Sequence, residues 1–142
     1  MEESAQNLEL RSLSYNQLPL LLAWRNDREI TRYMPRAEGI LYWDKHLQWY
    51  ETRSYSRIDR VIWWYGRPVG VVHRSTYGEV GIIIGEKALW GMGIATKALR
   101  FFCEDFCRYG GFAIIPPENK RARKAFENAG FAKTDRTIEI NR

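Results

Sequence analysis

Two hydrophobic periods divide the chain into predicted strands and helices. Alternation of apolar and polar residues is typical of strands, whereas apolar residues three and four positions apart are typical of helices. The first pattern predicts strands at 8–13, 58–65, 69–76, 79–85 and 112–115. The second predicts helices at 14–24, 43–53, 93–109 and 119–129, and a short helix from Asn26-Asp27 to Tyr33 that stops before Pro35. Residues 131–141 predict a small hairpin that turns at Asp135-Arg136.

This order of elements predicts an α+β fold, with a mixed, largely antiparallel central sheet that carries helices on both faces. A length of 142 residues suits one domain over 1–142 with one core. No repeat, linker or low-complexity tract divides the chain.

The most informative segment carries an apolar strand, Ile82-Ile83-Ile84, into a loop with two glycines, Gly91 and Gly93, at the start of a long helix. Glycine permits a positive φ and keeps the backbone N–H groups open to a ligand. The first N–H groups of a helix have no intrahelical partner and lie at the positive end of its dipole. The segment therefore predicts a phosphate or pyrophosphate site. A tight turn without a ligand is the alternative, since glycine occurs in turns of every kind.

Two common phosphate loops are excluded. A Walker A loop needs a Gly-Lys-Ser/Thr triplet, and none follows here. A dinucleotide fingerprint needs a third glycine where Thr96 stands, and it needs an acidic residue after a second strand, whereas Gly110-Gly111 ends the helix.

A second motif lies downstream. Asn119 opens a helix that ends at Gly130-Phe131. Together with Gly93 and Ala95 in the glycine loop, this arrangement resembles the GNAT superfamily of acyl-CoA-dependent N-acetyltransferases. The resemblance runs along almost the whole chain. It implies the three-layer α/β fold of that family and acetyl-CoA, or another acyl-CoA, as co-substrate, with no metal.

The resemblance also implies which residues bind the donor. In the family, the backbone of the strand before the glycine loop holds the pantetheine arm, and the loop holds the diphosphate. Asn119 contacts the arm or orders the site, and Phe126 packs against the arm or the core. The implied donor-binding set is Ile82, Ile83, Ile84, Trp90, Gly91, Met92, Gly93, Ile94, Ala95, Thr96, Asn119 and Phe126. Two positions depart from the family: Trp90 replaces a Gln or Arg, and Phe126 replaces a tyrosine that commonly reprotonates the leaving thiolate.

Acetyl transfer requires a free amine, so a base must accept a proton from an amine with a pKa of about 10. Glu79, at the start of the strand before the loop, is the first candidate, directly or through water. His73 is the alternative, and Asp59 and Glu51 are further candidates. A solvated carboxylate and a structural histidine are the competing interpretations.

The acceptor site should lie among the N-terminal helices, for which we name Trp24, Arg25 and Tyr33 as substrate-binding candidates. Residues 22–27, Leu-Ala-Trp-Arg-Asn-Asp, are similar to a branch that includes amino-sugar, aminoglycoside and ribosomal-protein N-acetyltransferases. The expected acceptor is therefore the primary amine of a small molecule. The alternative is a catalytically weak or inactive acyl-CoA-binding module that acts through a protein partner.

Charge and cysteine content argue against two further kinds of function, nucleic-acid binding and metal binding. The net charge of +5 is spread, apart from the cluster at 120–124, so nucleic-acid binding is not favoured over a basic face that holds CoA. Cys103 and Cys107, without histidine neighbours, favour packing over a metal site.

An acidic, polar start and the lack of a long apolar run predict a cytoplasmic protein without a membrane span. The short fifth strand leaves an edge with which a second copy could pair, so a homodimer is one expected assembly.

Overall fold

The computed structural model describes residues 7–34, 39–134 and 139–142. Its strands are β1 Leu8–Ser12, β2 Ile58–Trp64, β3 Arg67–Arg74, β4 Val80–Ile84, β5 Phe112–Ile114, β6 Ala132–Lys133 and β7 Glu139–Asn141. Its helices are α1 Leu18–Asn26, α2 Trp43–Glu51, α3 Ile94–Phe106 and α4 Lys120–Asn128, with short 3₁₀ turns at Tyr15–Gln17 and Lys87–Leu89.

The strands form two antiparallel sheets that meet at one point. The first sheet has the order β1-β2-β3-β4 and the second the order β5-β7-β6. Among the described residues, one parallel bridge, between Glu79 and Phe112, joins them. The predicted hairpin at 131–141 is confirmed as the antiparallel pair β6–β7, and its turn at Asp135-Arg136 lies outside the described residues.

Each face of the first sheet carries a pair of helices, which confirms the predicted α+β class. One core lies under α3 and α4 and includes Val72, Leu99, Phe102 and Ile140. The other lies under α1 and α2 and includes Leu18, Leu21, Trp24 and Val61. Because β4 contributes Ile82 and Ile84 to the first core and Ile83 to the second, it is held from both sides.

The prediction of a short helix between Asn26 and Tyr33 is wrong, because this segment consists of turns. The Asp27 carboxylate accepts the N–H groups of Glu29 and Ile30, at 2.9 and 3.3 Å. The Thr31 hydroxyl donates to the Asp27 carbonyl at 2.9 Å. Side chains that bond to the nearby backbone compete with a helical ladder, and here they stabilise turns instead.

Local chemistry sets both ends of α4, whereas a distant contact satisfies the end of α3. Asn119 caps α4 by accepting the Ala122 N–H at 3.3 Å, as predicted. Gly130, at φ +104°, ends it, and the Phe131 N–H donates to the Phe126 carbonyl at 3.0 Å. Helix α3 was expected to reach Tyr109 but ends at Phe106. Arg142 donates to the Cys107 carbonyl at 2.7 Å there, a distant contact that satisfies the helix end.

In the described ranges 7–34, 39–134 and 139–142, no helix has the length and apolar character that a membrane crossing requires.

Candidate active site

An opening separates the two sheets on one side of their junction. The Phe112 N–H donates to the Gly78 carbonyl at 3.0 Å, next to the Glu79–Phe112 bridge. Beyond that bridge β4 continues in partnership with β3, while β5 pairs with β7. The facing edges of β4 and β5 therefore diverge.

Backbone groups of β4 line this opening. The Gly85 N–H donates to the Val69 carbonyl at 2.8 Å, so the backbone of Gly85, and of every second residue before it, faces β3. Ile82 and Ile84 consequently direct their N–H and C=O groups to the opposite edge. The Trp90 indole N–H donates to the Ile84 carbonyl at 2.8 Å. A ligand in the opening therefore meets the N–H and C=O of Ile82 and the N–H of Ile84.

The N-terminus of α3 points into the same opening. Gly91 and Gly93 have φ values of +83° and +82°, as the sequence required, and Gly93 is the N-cap. Lys97 makes the first intrahelical bond, from its N–H to the Gly93 carbonyl at 3.2 Å. The N–H groups of residues 94–96 thus lie free of the helical ladder at its positive end, where an anion is stabilised.

These elements surround a groove of about 550 Å³. Most of the predicted donor-binding residues line it, namely Ile82, Ile83, Ile84, Trp90, Gly91, Gly93, Ile94, Ala95, Thr96 and Asn119. Two do not. Met92 projects outward with 59% of its surface exposed, and Phe126 lies in the core at 3% exposure, edge-on to Phe131. Of the two places expected for Phe126, the structure gives the core.

The α4 wall of the groove is basic. Lys120, Arg121 and Lys124 line it, and the Arg121 guanidinium lies 4.5 Å from the centroid of the Trp90 ring. This is a cation–π contact that joins α4 to the glycine loop. Since α4 begins at Lys120, its first turn brings positive charge into the groove that the free amides of α3 also line. The wall suits a ligand that carries phosphate groups.

A second groove of about 530 Å³ adjoins the first. Arg32, Tyr33 and Glu118 line both grooves, while Glu79 lies in the second, exposed to solvent. The structure therefore brings Glu79 and Tyr33, a predicted base and a predicted acceptor residue, together at one end of the opening.

The other candidate bases lie away from this junction. The His73 ring covers Gly81 on the α1–α2 face of the sheet, and it lines neither groove. Burial and the neighbouring Arg57 guanidinium lower the pKa of His73 to about 4. Asp59 is buried and held by Arg53 and Arg57 at 2.8 and 3.0 Å. Glu51 ends α2 on the surface and lines neither groove.

The predicted acceptor residues Trp24 and Arg25 line neither groove. Trp24 is 8% exposed and packs against Gly85. The Arg25 guanidinium lies 5.1 Å from the centroid of the Trp49 ring and contacts His46 Nδ1 at 3.4 Å. His46 is fully buried, and its Nε2 lies 2.9 Å from the Leu18 carbonyl. This contact attaches α2 to α1.

Sequence reasoning missed the wall that faces β4. Glu29, Ile30 and Arg32 line the first groove from the turns after α1. Lys87 attaches these turns to the glycine loop, with its Nζ 2.8 Å from Asp27 Oδ2 and 2.9 Å from Glu29 Oε1. The residues are 58 to 60 positions apart in the chain. No local sequence pattern indicates a contact between residues so far apart.

Comparison with known proteins agrees with this geometry. Residues 7–132 match the family model of the acetyltransferase (GNAT) domain. An uncharacterized protein of Methanocaldococcus jannaschii is 32% identical over an alignment of 141 residues that covers 92% of this chain and 29% of that protein. The chain thus spans less than a third of that relative's length.

Solved structures share the fold. A domain from Methanocaldococcus jannaschii superposes with a TM-score of 0.83 at 31% identity, covering 94% of this chain and 95% of that one. The aminoglycoside acetyltransferase AAC(6′)-Ib, in complex with ribostamycin and coenzyme A, gives 0.79 at 17% identity, with 96% and 93% coverage. Spermidine N-acetyltransferase from Vibrio cholerae, in complex with CoA and spermine, gives 0.78 at 18% identity, with 96% and 95% coverage.

Proposed function

The chain belongs to the GNAT acetyltransferase family, and we propose that it is an N-acetyltransferase that moves the acetyl group of acetyl-CoA to a primary amine of a small molecule. One observation carries the proposal. The opening between β4 and β5 has unbonded helix amides at one end and the carboxylate of Glu79 in an adjoining groove at the other. An acyl donor anchored at the first end would extend along β4 towards the second.

The first groove suggests how acetyl-CoA would bind. The diphosphate of acetyl-CoA would accept the N–H groups at the start of α3, with positive charge supplied by Lys120, Arg121 and Lys124. The amide groups of its pantetheine arm would bond to the free backbone edge of Ile82 and Ile84. The Ile84 carbonyl is already taken by Trp90, so the arm would use the Ile84 N–H.

The reaction needs an amine, a base and a leaving group. The amine nitrogen attacks the thioester carbonyl, a C–N bond forms, and the C–S bond breaks as the thiolate departs. Glu79 would accept the proton of the amine, directly or through a water molecule. A thiol has a pKa of about 8.5, so the thiolate can leave without an acid and take its proton from water. Tyr33 places another hydroxyl at the junction of the two grooves.

The acceptor would enter through the second groove, where Glu79 and Glu118 favour a cationic group beside Ile114 and Pro116. Aminoglycosides and spermine, with which the structurally similar acetyltransferases were solved, are amines of that kind. An amino sugar also offers the primary amine that the reaction needs. We therefore propose an amino sugar, an aminoglycoside-like compound or another small amine as acceptor.

Two measurements test this function. Acetyl-CoA should raise the melting temperature of the protein at concentrations well above micromolar, because a ligand that binds only the folded state stabilises it. Thiol release should then be assayed with glucosamine, kanamycin and spermidine. Glu79→Gln should abolish most of the turnover with the responding amine and leave acetyl-CoA binding unchanged. Glu104→Gln, an exposed glutamate of α3, is the matched control. Failure of acetyl-CoA to shift melting would refute the proposal.

Phe126 favours the alternative function, a catalytically weak acyl-CoA-binding module that acts through a protein partner. A phenylalanine has no proton to give, and this one is buried in the core. Acetyl-CoA binding without thiol release over a broad amine panel would support the module and exclude the transferase.

A further inference from the structure

Lys87 links the two halves of the proposed site. Its ammonium lies between two carboxylates of the turns after α1, 2.8 Å from Asp27 and 2.9 Å from Glu29. It begins the 3₁₀ turn Lys87–Leu89, which leads directly into Trp90 and the glycine loop. The same residue therefore contacts the acceptor side and belongs to the donor side.

The turns at 27–34 form a wall of the site without a helical ladder to fix them. Glu29, Ile30, Arg32 and Tyr33 line the groove opposite Ile82–Ile84. At their base, the Asn26 side chain bonds to both backbone groups of Leu41, each at 2.8 Å. The Lys87 contacts hold the wall at its other side, next to the donor loop.

The two ion pairs of Lys87 are arranged so that they hold the wall in one position. The Asp27 carboxylate is already oriented, because its second oxygen accepts the N–H groups of Glu29 and Ile30. An isolated surface ion pair contributes little, since ordering two long side chains offsets the attraction. Here one carboxylate is ordered before Lys87 binds it, and a second shares the same ammonium.

We propose that Lys87 is a positioning residue that couples the donor loop to the acceptor wall. The inference rests on the proposed function, because it assigns the two sides of the groove to a donor and an acceptor. A donor that fixes the loop through residues 90–96 fixes Lys87, and through Lys87 it fixes the turns at 27–34. Coupling of this kind is reciprocal, so an acceptor on the wall also favours donor binding.

Hydrogen exchange of the amides of residues 28–33, with and without acetyl-CoA, tests the coupling. In the wild type, acetyl-CoA should slow their exchange about threefold, the size expected for a few weak ion-pair contacts. In Lys87→Met this slowing should disappear, while the Kd for acetyl-CoA stays within about twofold and the melting temperature is retained. Lys87→Arg should restore the slowing because it keeps the charge.

Arg67→Gln is the matched control. It removes a neighbouring exposed pair, Arg67–Glu86 at 3.7 Å, at the same loop but without a contact to residues 27–34. It should behave as the wild type. Equal slowing in Lys87→Met and the wild type would overturn the coupling, while the proposed function would stand.

The ligand-free proteins separate the two hypotheses. If acetyl-CoA does not bind the wild type, the proposed function fails. Hydrogen exchange of the ligand-free proteins then tests whether Lys87 links the loop to the turns at 27–34. Residues 28–33 should then exchange faster in Lys87→Met than in Arg67→Gln. Equal exchange in those two variants would overturn the link itself.

Discussion

The indole of Trp24 lies against Gly85 so closely that a Cβ atom added to Gly85 would come within 2.1 Å of Trp24 Cε2. Gly85 directly follows β4, whose backbone edge forms one side of the proposed donor groove. α1 therefore rests on the strand at the point where the chain leaves it for the glycine loop. Trp24, a substrate-binding candidate in the sequence, lines neither groove, and it positions the strand and the helix relative to each other.

Gly85→Ala should destabilise the protein and weaken acetyl-CoA binding. The added methyl group must displace either the Trp24 ring or the end of β4, and such overpacking costs about 1–3 kcal/mol. Chemical denaturation gives the free energy of unfolding, and calorimetric titration gives the affinity.

The double variant Trp24→Leu/Gly85→Ala identifies the cause of that loss. A smaller side chain at position 24 leaves room for the methyl group, so the double variant should lose less stability than the two single variants added together. Strict additivity would show that Gly85 is constrained by something other than Trp24.

Arg121→Gln should weaken acetyl-CoA binding about threefold to tenfold and reduce its dependence on salt, because a cation at the phosphate end of the groove is lost. Arg121 lines the groove and stacks on Trp90 at 4.5 Å. Arg123→Gln is the control, since Arg123 belongs to the same helix but does not line the groove. Equal affinities of the two variants at low salt would contradict the assignment.

Asn119 combines a structural role with a place in the groove, and two substitutions separate them. Asn119→Ala removes the cap on the Ala122 N–H and should cost about 1 kcal/mol of stability. Asn119→Ser keeps a capping oxygen but shortens the side chain, so it should retain stability and lose donor affinity. Unchanged donor affinity in Asn119→Ser would reduce Asn119 to its capping role. Thermal unfolding and acetyl-CoA titration measure the two effects.

The elements that sequence reasoning predicted are those set by local chemistry. Gly91 and Gly93 predict the loop because a positive φ is accessible mainly to glycine. Asn119 and Gly130 predict the two ends of α4 because helix caps are formed by residues near in sequence. The family resemblance then named a set of donor-binding residues, most of which line one groove of the structure.

The misses are contacts between distant parts of the chain. The turns at 27–34 look helical in sequence, yet the Asp27 side chain bonds to its own neighbours and then to Lys87. Trp24 and Arg25 look like acceptor residues, but their partners Gly85 and His46 lie far along the chain. Contacts between residues 21 to 61 positions apart leave no pattern in the local sequence, so only the folded structure reveals these roles.

His73 should make the protein less stable as the pH falls from about 6.5 to about 4. Burial and Arg57 lower its pKa to about 4 in the folded protein, whereas the unfolded chain has the ordinary value of about 6.5. Between these values the unfolded state binds a proton that the folded state does not, so the free energy of unfolding decreases with falling pH. The total decrease is about 3 kcal/mol; it ends below pH 4, where both states are protonated, and it is absent above pH 6.5.

Urea denaturation at closely spaced pH values, on the wild type and on His73→Gln, measures this contribution. Glutamine has no charge to gain, so the variant should lose less stability over the same interval. The carboxylates titrate in both proteins, and so does His46, whose pKa burial also lowers, so the difference between the two curves isolates His73. Curves that run parallel from pH 6.5 to 4 would show that His73 is protonated equally in both states. The low pKa of the folded-state His73 would then be wrong, although its ring would still line neither groove.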